Sequence, residues 1–135
     1  MIPEYFDIHS HLTDSQYNTD REEILSRLDK TNTYTITIGT DIETSKQAVA
    51  LADLNKNIYA CIGVHPVDDM NQTFEMEKFE SLANHPKVVS VGECGLDYFR
   101  LEGDLNSEKK RQKELFEKQI QFALTYDKPL MLHCR

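Results

Sequence analysis

The sequence predicts an α/β fold built on parallel strands, in a single domain of residues 1–135, and three observations lead there. Short apolar runs rich in Ile, Val and aromatic residues alternate with longer amphipathic runs, which is how successive βα units read. A chain of 135 residues, 39% hydrophobic and 28% charged, can bury one core and is too short for two. No repeat beyond the βα unit, no low-complexity tract and no interdomain linker divides it.

Strands are expected at Tyr5 to His9, Tyr34 to Gly39, Ile58 to Val64, Val88 to Cys94 and Pro129 to His133. Helices fill the gaps. Asp20 with Glu23 reads as an N-cap and its partner ahead of Ile24, Leu25 and Leu28, and Thr40 with Glu43 repeats that arrangement ahead of Ala48, Leu51 and Ala52. A third helix is expected after Thr73, carrying Phe74, Phe79 and Leu82. The longest runs from about Ser107 to Tyr126, with Leu115, Phe116, Ile120 and Ala123 at helical spacing. Its basic cluster, Lys109-Lys110-Arg111 with Lys113, reads as a solvated face, with a phosphate-backbone role as the lesser alternative. Asn71-Gln72-Thr73 and Leu101 to Asn106 read as polar loops.

Met1-Ile2-Pro3-Glu4 leads straight into the first apolar segment, with no basic n-region and no long apolar stretch. Neither a secretory signal nor a membrane span is expected, and the cytoplasm is the expected location. Cys61, Cys94 and Cys134 are odd in number, widely spaced and set in apolar runs, which predicts reduced, buried thiols in place of a disulfide framework or a zinc knuckle. The formal net charge of −8 excludes the broad positive field of a sequence-independent nucleic-acid binder, so any phosphate must be held locally, by metal or by a few cationic side chains.

The chemistry concentrates at the carboxyl ends of the strands, where the loops of a parallel βα array open a cleft. Asp7-Ile8-His9-Ser10-His11 ends the first strand. Strict alternation would put Asp7, His9 and His11 on one face and Phe6 and Ile8 on the other, so that two imidazoles could grip one cation. Histidines facing only water are the bland alternative. His65 follows the third strand in Gly63-Val64-His65-Pro66, though His-Pro is also a common turn. Glu93 ends the fourth behind Val88, Val89 and Val91. A carboxylate there is costly to bury without a cation. His133 ends an equally apolar fifth strand, whereas His85 in Asn84-His85-Pro86 precedes a strand and reads as a turn residue at the opposite rim. Asp97 either caps a loop or orients a water. Arg135 could grip a phosphate oxygen through its fork or trail as a disordered end.

Asp7-Ile8-His9-Ser10-His11, Gly63-Val64-His65-Pro66, Gly92-Glu93-Cys94-Gly95-Leu96-Asp97-Tyr98 and His133-Cys134-Arg135 resemble, in order and spacing, the motifs of the TatD-related metal-dependent deoxyribonucleases of the amidohydrolase superfamily. The resemblance implies a TIM-type barrel and a di-metal site for phosphodiester hydrolysis. In it His9 and His11 hold one ion, Glu93 bridges to a second, and His133 binds that second ion. Glu93 and Asp97 become the candidate catalytic groups, and His65 and Arg135 would lie near the substrate, DNA. Two divalent ions are expected, magnesium or manganese before zinc.

The chain departs from that family in length. A full barrel has eight βα units in about 250 residues, and this sequence predicts a (βα)4β half of a TIM-type barrel. The histidine and aspartate that the family carries on later strands have no counterpart. The chain is then an incomplete product or fragment of a longer protein, or a half-barrel that pairs with itself or with a separate second half; the expectation is completion by association, as a homodimer first, which would cover its open edges. Two copies supply ten strands and not eight, which disfavours a simple copy of the family's barrel. A metal-binding half-barrel without turnover is the alternative function, and an amide- or lactone-cleaving amidohydrolase a third.

Overall fold

A computed structural model describes residues 2–135. Its elements run β1 (Tyr5–Ser10), a short 3-10 turn (Ser15–Tyr17), α1 (Arg21–Lys30), β2 (Thr33–Ile38), α2 (Ile42–Leu54), β3 (Ile58–Ile62), α3 (Met76–Ala83), β4 (Val88–Leu96), α4 (Leu105–Thr125) and β5 (Leu130–Cys134). Every strand pairs in parallel with its neighbour in sequence, giving the order β1-β2-β3-β4-β5. Helical crossovers on one face with no reversal of order make the sheet curl in a single sense. The five parallel strands form half of a barrel.

Alternation along the strands separates two faces. Ile58, Ala60 and Ile62 of β3 point to the helices and are fully buried with Ala48 and Ala52 of α2, Phe79 and Ala83 of α3, and Leu115, Phe122 and Ala123 of α4. Phe74, Phe79 and Phe122 lock this layer, with ring centroids 4.5 Å apart for the stacked first pair and 5.2 Å for the edge-on Phe74–Phe122 pair. Tyr59, between Ile58 and Ala60, points the other way. With Phe6, Ile8, Ile36, Val89 and Met131 it lines an open hollow of about 590 Å³ on the concave face. Phe6 and Ile8 are 46% and 62% exposed there, and among the described residues no strand pairs with the outer edge of β1 or β5.

Several local expectations shift. The α2 N-cap is Asp41 and not Thr40, and the capping box closes on Thr44 and not Glu43. Thr40 is still committed to the strand ends, its carbonyl accepting from His65 N–H at 2.9 Å. Asp20 precedes α1 without a side-chain cap bond. Phe74 is core but precedes α3, which starts two residues later. Leu105 and Asn106, expected in a loop, form the first turn of α4 because Asp104 accepts from Ser107 N–H at 2.7 Å and caps the helix there.

Two further corrections concern side chains. Cys61 and Cys94 are buried as expected, but Cys134, near the end of the outermost strand β5, is exposed. Arg111 does not belong to a solvated face: its guanidinium folds onto Glu108 at 2.6 Å and the Pro66 carbonyl at 2.5 Å. Lys109 lies over the Tyr98 ring, whereas Lys110 and Lys113 remain on the exposed face beside Glu114 and Glu117.

Gln112 and Gln119, seven residues apart and so on one face of α4, are both fully buried. Gln119 accepts from Val64 N–H at 2.8 Å and donates to Val64 C=O at 2.9 Å. Gln112 does the same at Asp97, at 2.7 and 2.8 Å. Each side-chain amide thus acts as one more strand residue, tying the helix to the segments that carry His65 and Asp97. Gln119→Ala would strand a buried N–H and C=O, and urea unfolding should read a loss of about 2–4 kcal/mol.

Candidate metal centre

Four strand ends supply the site. At β1 the pairing with β2 shifts between Asp7 and Ser10, a bulge that breaks the alternation. Thr35 donates to the Ser10 hydroxyl at 2.8 Å, and Leu12 N–H donates to the Thr37 hydroxyl at 3.1 Å, pinning the chain on either side of His11. His9 and His11 come together, Nε2 to Nε2 at 3.2 Å. Asp7, expected on their face, instead accepts from His9 N–H at 3.0 Å as a local turn and joins neither ligand group.

Glu93 lies between two histidine pairs. Its Oε2 is 3.5 Å from His9 Nε2 and 3.9 Å from His11 Nε2. Its Oε1 is 3.0 Å from His133 Nδ1, and His65 Nε2 lies 3.2 Å from that same nitrogen. Two groups of potential ligand atoms therefore share one carboxylate: His9, His11 and Glu93, and His65, Glu93 and His133. Such separations suit atoms that share an ion at about 2.1 Å.

Partners behind the imidazoles fix which nitrogen faces inward. His11 Nδ1 donates to Ile38 C=O at 3.3 Å, freeing Nε2. His65 Nδ1 meets the Asp68 carboxylate at 2.8 Å and Val67 N–H at 3.3 Å. The shorter, charge-assisted contact puts the proton on Nδ1 and frees Nε2. His133 Nε2 donates to Asp97 Oδ2 at 2.9 Å, freeing Nδ1. Lone pairs of His65 and His133 thus converge 3.2 Å apart beside a carboxylate oxygen, an arrangement that a cation satisfies and that the carboxylate–histidine pairs behind it support.

Asp97 is fully buried. Burial pushes its carboxyl up, but bonds from His133, Arg135 and Phe99 N–H outweigh that and hold it below the ordinary carboxylate range. It caps its loop, one of the two roles expected of it, through Phe99 N–H at 3.0 Å. Its other oxygen orients His133 and anchors Arg135, whose Nε and Nη2 lie at 3.1 and 3.0 Å. The hydrogen bond from His65 likewise holds Asp68 below its usual value. Asp97→Asn should lower metal affinity by about 10–100-fold, read by calorimetric titration, because the amide no longer fixes the tautomer of His133.

Glycines bring β4 against β5. Gly92 and Gly95 have φ of +146° and +148°. A Cβ on Gly92 would fall on the Met131 carbonyl oxygen, and one on Gly95 on that of His133. Only glycine permits this approach, which sets Glu93 beside His133.

His65, expected near substrate, is buried and sits among the ligand atoms of the second group. His85 lies before β4, 3.3 Å from Asp53. Sequence reasoning missed Asp68 and the two glutamines; the i+3 acid after His65 and the seven-residue spacing on α4 were the available signals.

A parallel half-barrel that gathers four histidines and a glutamate at its carboxyl rim has the architecture of the metal-dependent hydrolases built on TIM barrels. The TatD-related DNase family profile matches residues 6–135. The chain belongs to that family. It is 39% identical over 132 residues to the uncharacterized metal-dependent hydrolase YabD of Bacillus subtilis, covering 96% of this chain and 50% of YabD. It is 36% identical over 132 residues to the 3'-5' ssDNA/RNA exonuclease TatD of Salmonella typhimurium, covering 96% of this chain and 49% of the relative. The crystal structure of YJJV, a TatD homolog from Escherichia coli K12, superposes with a TM-score of 0.85 at 32% identity, over 100% of this chain and 52% of YJJV. The chain thus spans about half the length of these relatives. Among the described residues no helix is long and apolar enough to cross a membrane.

Proposed function

We propose that the chain is the metal-binding half of a two-ion hydrolase that cleaves phosphodiester bonds in DNA, working when a second half-barrel completes the barrel. One observation carries the reading: Glu93 offers one oxygen to each of two histidine pairs. His9, His11 and Glu93 would hold one divalent ion, and His65, His133 and Glu93 the other. Magnesium or manganese suits phosphate chemistry, and so nitrogen-rich a ligand set would also accept zinc. When bound, such a pair supplies Lewis acidity at a phosphoryl oxygen and makes water acidic near neutral pH.

The chain's own groups do the rest. Asp97 is a positioning residue that holds His133 in one tautomer, and Asp68 does the same for His65. Arg135, held by Asp97 through Nε and Nη2, would offer its remaining guanidinium nitrogen to a phosphate oxygen. A net charge of −8 is compatible with DNA because the positive field is local. The exonuclease name of the Salmonella relative supports a nucleic-acid substrate.

The open edges of β1 and β5 favour a second reading: a catalytically inactive metal-binding half-barrel that self-associates as a homodimer. Light-scattering mass, bound-metal analysis and hydrolysis of DNA with manganese separate the two. A metal-loaded assembly that turns over, and is silenced in His9→Ala, supports the enzyme. A loaded assembly without turnover supports the second reading, and a metal-free monomer overturns both.

A further inference from the structure

Three side chains on one face of α4 tie together the two loops that stand behind the His65–His133 ligand pair. Glu108, Arg111 and Gln112 are spaced so that they neighbour one another on the helix surface. Arg111 Nη2 donates to the Pro66 carbonyl at 2.5 Å and lies 3.5 Å from Met70 Sδ, both in the loop after β3. Its Nε and Nη2 meet Oε2 and Oε1 of Glu108 at 2.8 and 2.6 Å. Glu108 is itself buried and also accepts from Gln112 Nε2 at 3.0 Å, while Gln112 holds the backbone of Asp97. One hydrogen-bonded chain thus runs from Pro66, next to His65, to Asp97, the partner of His133. Arg111 Nη1 is buried without a partner, a cost that a plain solvated helix face would avoid.

The turn at Pro66 decides what His65 meets. Its Nδ1 has two neighbours of opposite demand: the Asp68 carboxylate at 2.8 Å calls for a proton there, and Val67 N–H at 3.3 Å calls for a lone pair. The Asp68 side chain is half-exposed and free to swing away, and Pro66 has no N–H with which to fix the turn. We propose that Arg111, braced by Glu108, is a positioning residue for the His65–His133 metal position: by gripping the Pro66 carbonyl it keeps Asp68 on Nδ1 of His65 and leaves the Nε2 lone pair open to the ion. This rests on the two-ion reading and adds a residue that touches none of the ligands. Without the grip, Val67 N–H closes on Nδ1, the proton sits on Nε2, and the position is blocked.

The test reads proton positions directly, by long-range proton–nitrogen NMR of the full metal-free chain at a pH where the imidazoles are neutral. Wild type should show His65 protonated on Nδ1 and His133 on Nε2. Asp68→Ala, which leaves Val67 N–H alone at Nδ1, defines the opposite tautomer of His65. Arg111→Ala should shift His65 toward that pattern and leave His133, held directly by Asp97, unchanged. Glu108→Gln keeps the shape and weakens the brace, so it should do the same to a smaller extent. Manganese titration of Arg111→Ala should show about a tenfold loss of affinity at one position and none at the other. An unmoved His65 in both variants, or equal changes at His65 and His133, would overturn the role. A wild-type chain that takes up fewer than two ions, while His65 shifts as expected, keeps the positioning role and sinks the two-ion reading; two ions with an unmoved His65 do the reverse.

Discussion

Glu93→Gln is expected to remove both ions at once. The carboxylate serves two histidine pairs through separate oxygens, 3.5 Å from His9 on one side and 3.0 Å from His133 on the other. The amide keeps the shape, but it loses the charge and offers a ligating oxygen to one side only. One group is left with two imidazoles and an uncharged amide oxygen and the other with two imidazoles alone, both poor matches for a hard divalent ion. Affinity at both positions should fall by more than about 100-fold, beyond the 10–100-fold typical of changing a residue behind a ligand. His9→Ala should spare the His65–His133 position. Titration with manganese, with metal content measured after gel filtration, checks both. If Glu93→Gln still retains one ion per chain at wild-type affinity, Glu93 is not shared.

The second large effect is on the fold. Gly95→Ala should destabilise the protein by about 3 kcal/mol or more, read as a lower urea midpoint at unchanged slope. Two causes add. The backbone at Gly95 has a φ of +148°, which side-chain-bearing residues rarely adopt, and the new methyl would meet the carbonyl oxygen of His133, a backbone atom of the neighbouring strand that cannot swing aside. Relief requires β5 to move away from β4, so metal binding should weaken along with stability. Gly103→Ala separates the two causes, because its φ of +73° carries the conformational cost while nothing lies within 4 Å of a Cβ there, so its loss should be the smaller. Equal stability of Gly95→Ala and the wild type would show that the β4–β5 approach is not what holds the pair.

The strand order and the placing of His11, His65, Glu93 and His133 toward the carboxyl ends of four strands were legible because the apolar runs are short and β-branched, although β4 runs on past Glu93 to Leu96, where Leu96 C=O accepts from Arg135 N–H. What strict alternation could not see was the bulge in β1. It depends on the hydroxyls of Thr35 and Thr37 across the sheet, and it separates Asp7 from the two histidines. Nor could periodicity place His65. A His-Pro pair reads as a turn until His133, 68 residues away, arrives at 3.2 Å. Gln112 and Gln119 are polar side chains on an amphipathic helix, and only the tertiary fold brings them against the backbone of Asp97 and Val64. Within the basic cluster at the start of α4 only Arg111 departs from the solvated face, for a similar reason, since it finds its partners in Glu108 and the loop after β3.

Cys134 gives the open edge an optical handle. Burial pushes the Cys61 and Cys94 thiols up to about 12, so neither supplies thiolate near neutral pH. Cys134 alone is exposed, and it lies on the edge strand β5. One maleimide dye per folded chain would therefore report from the strand edge that the proposed second half-barrel would cover. Its labelling rate would track in real time how much of the protein stands uncapped.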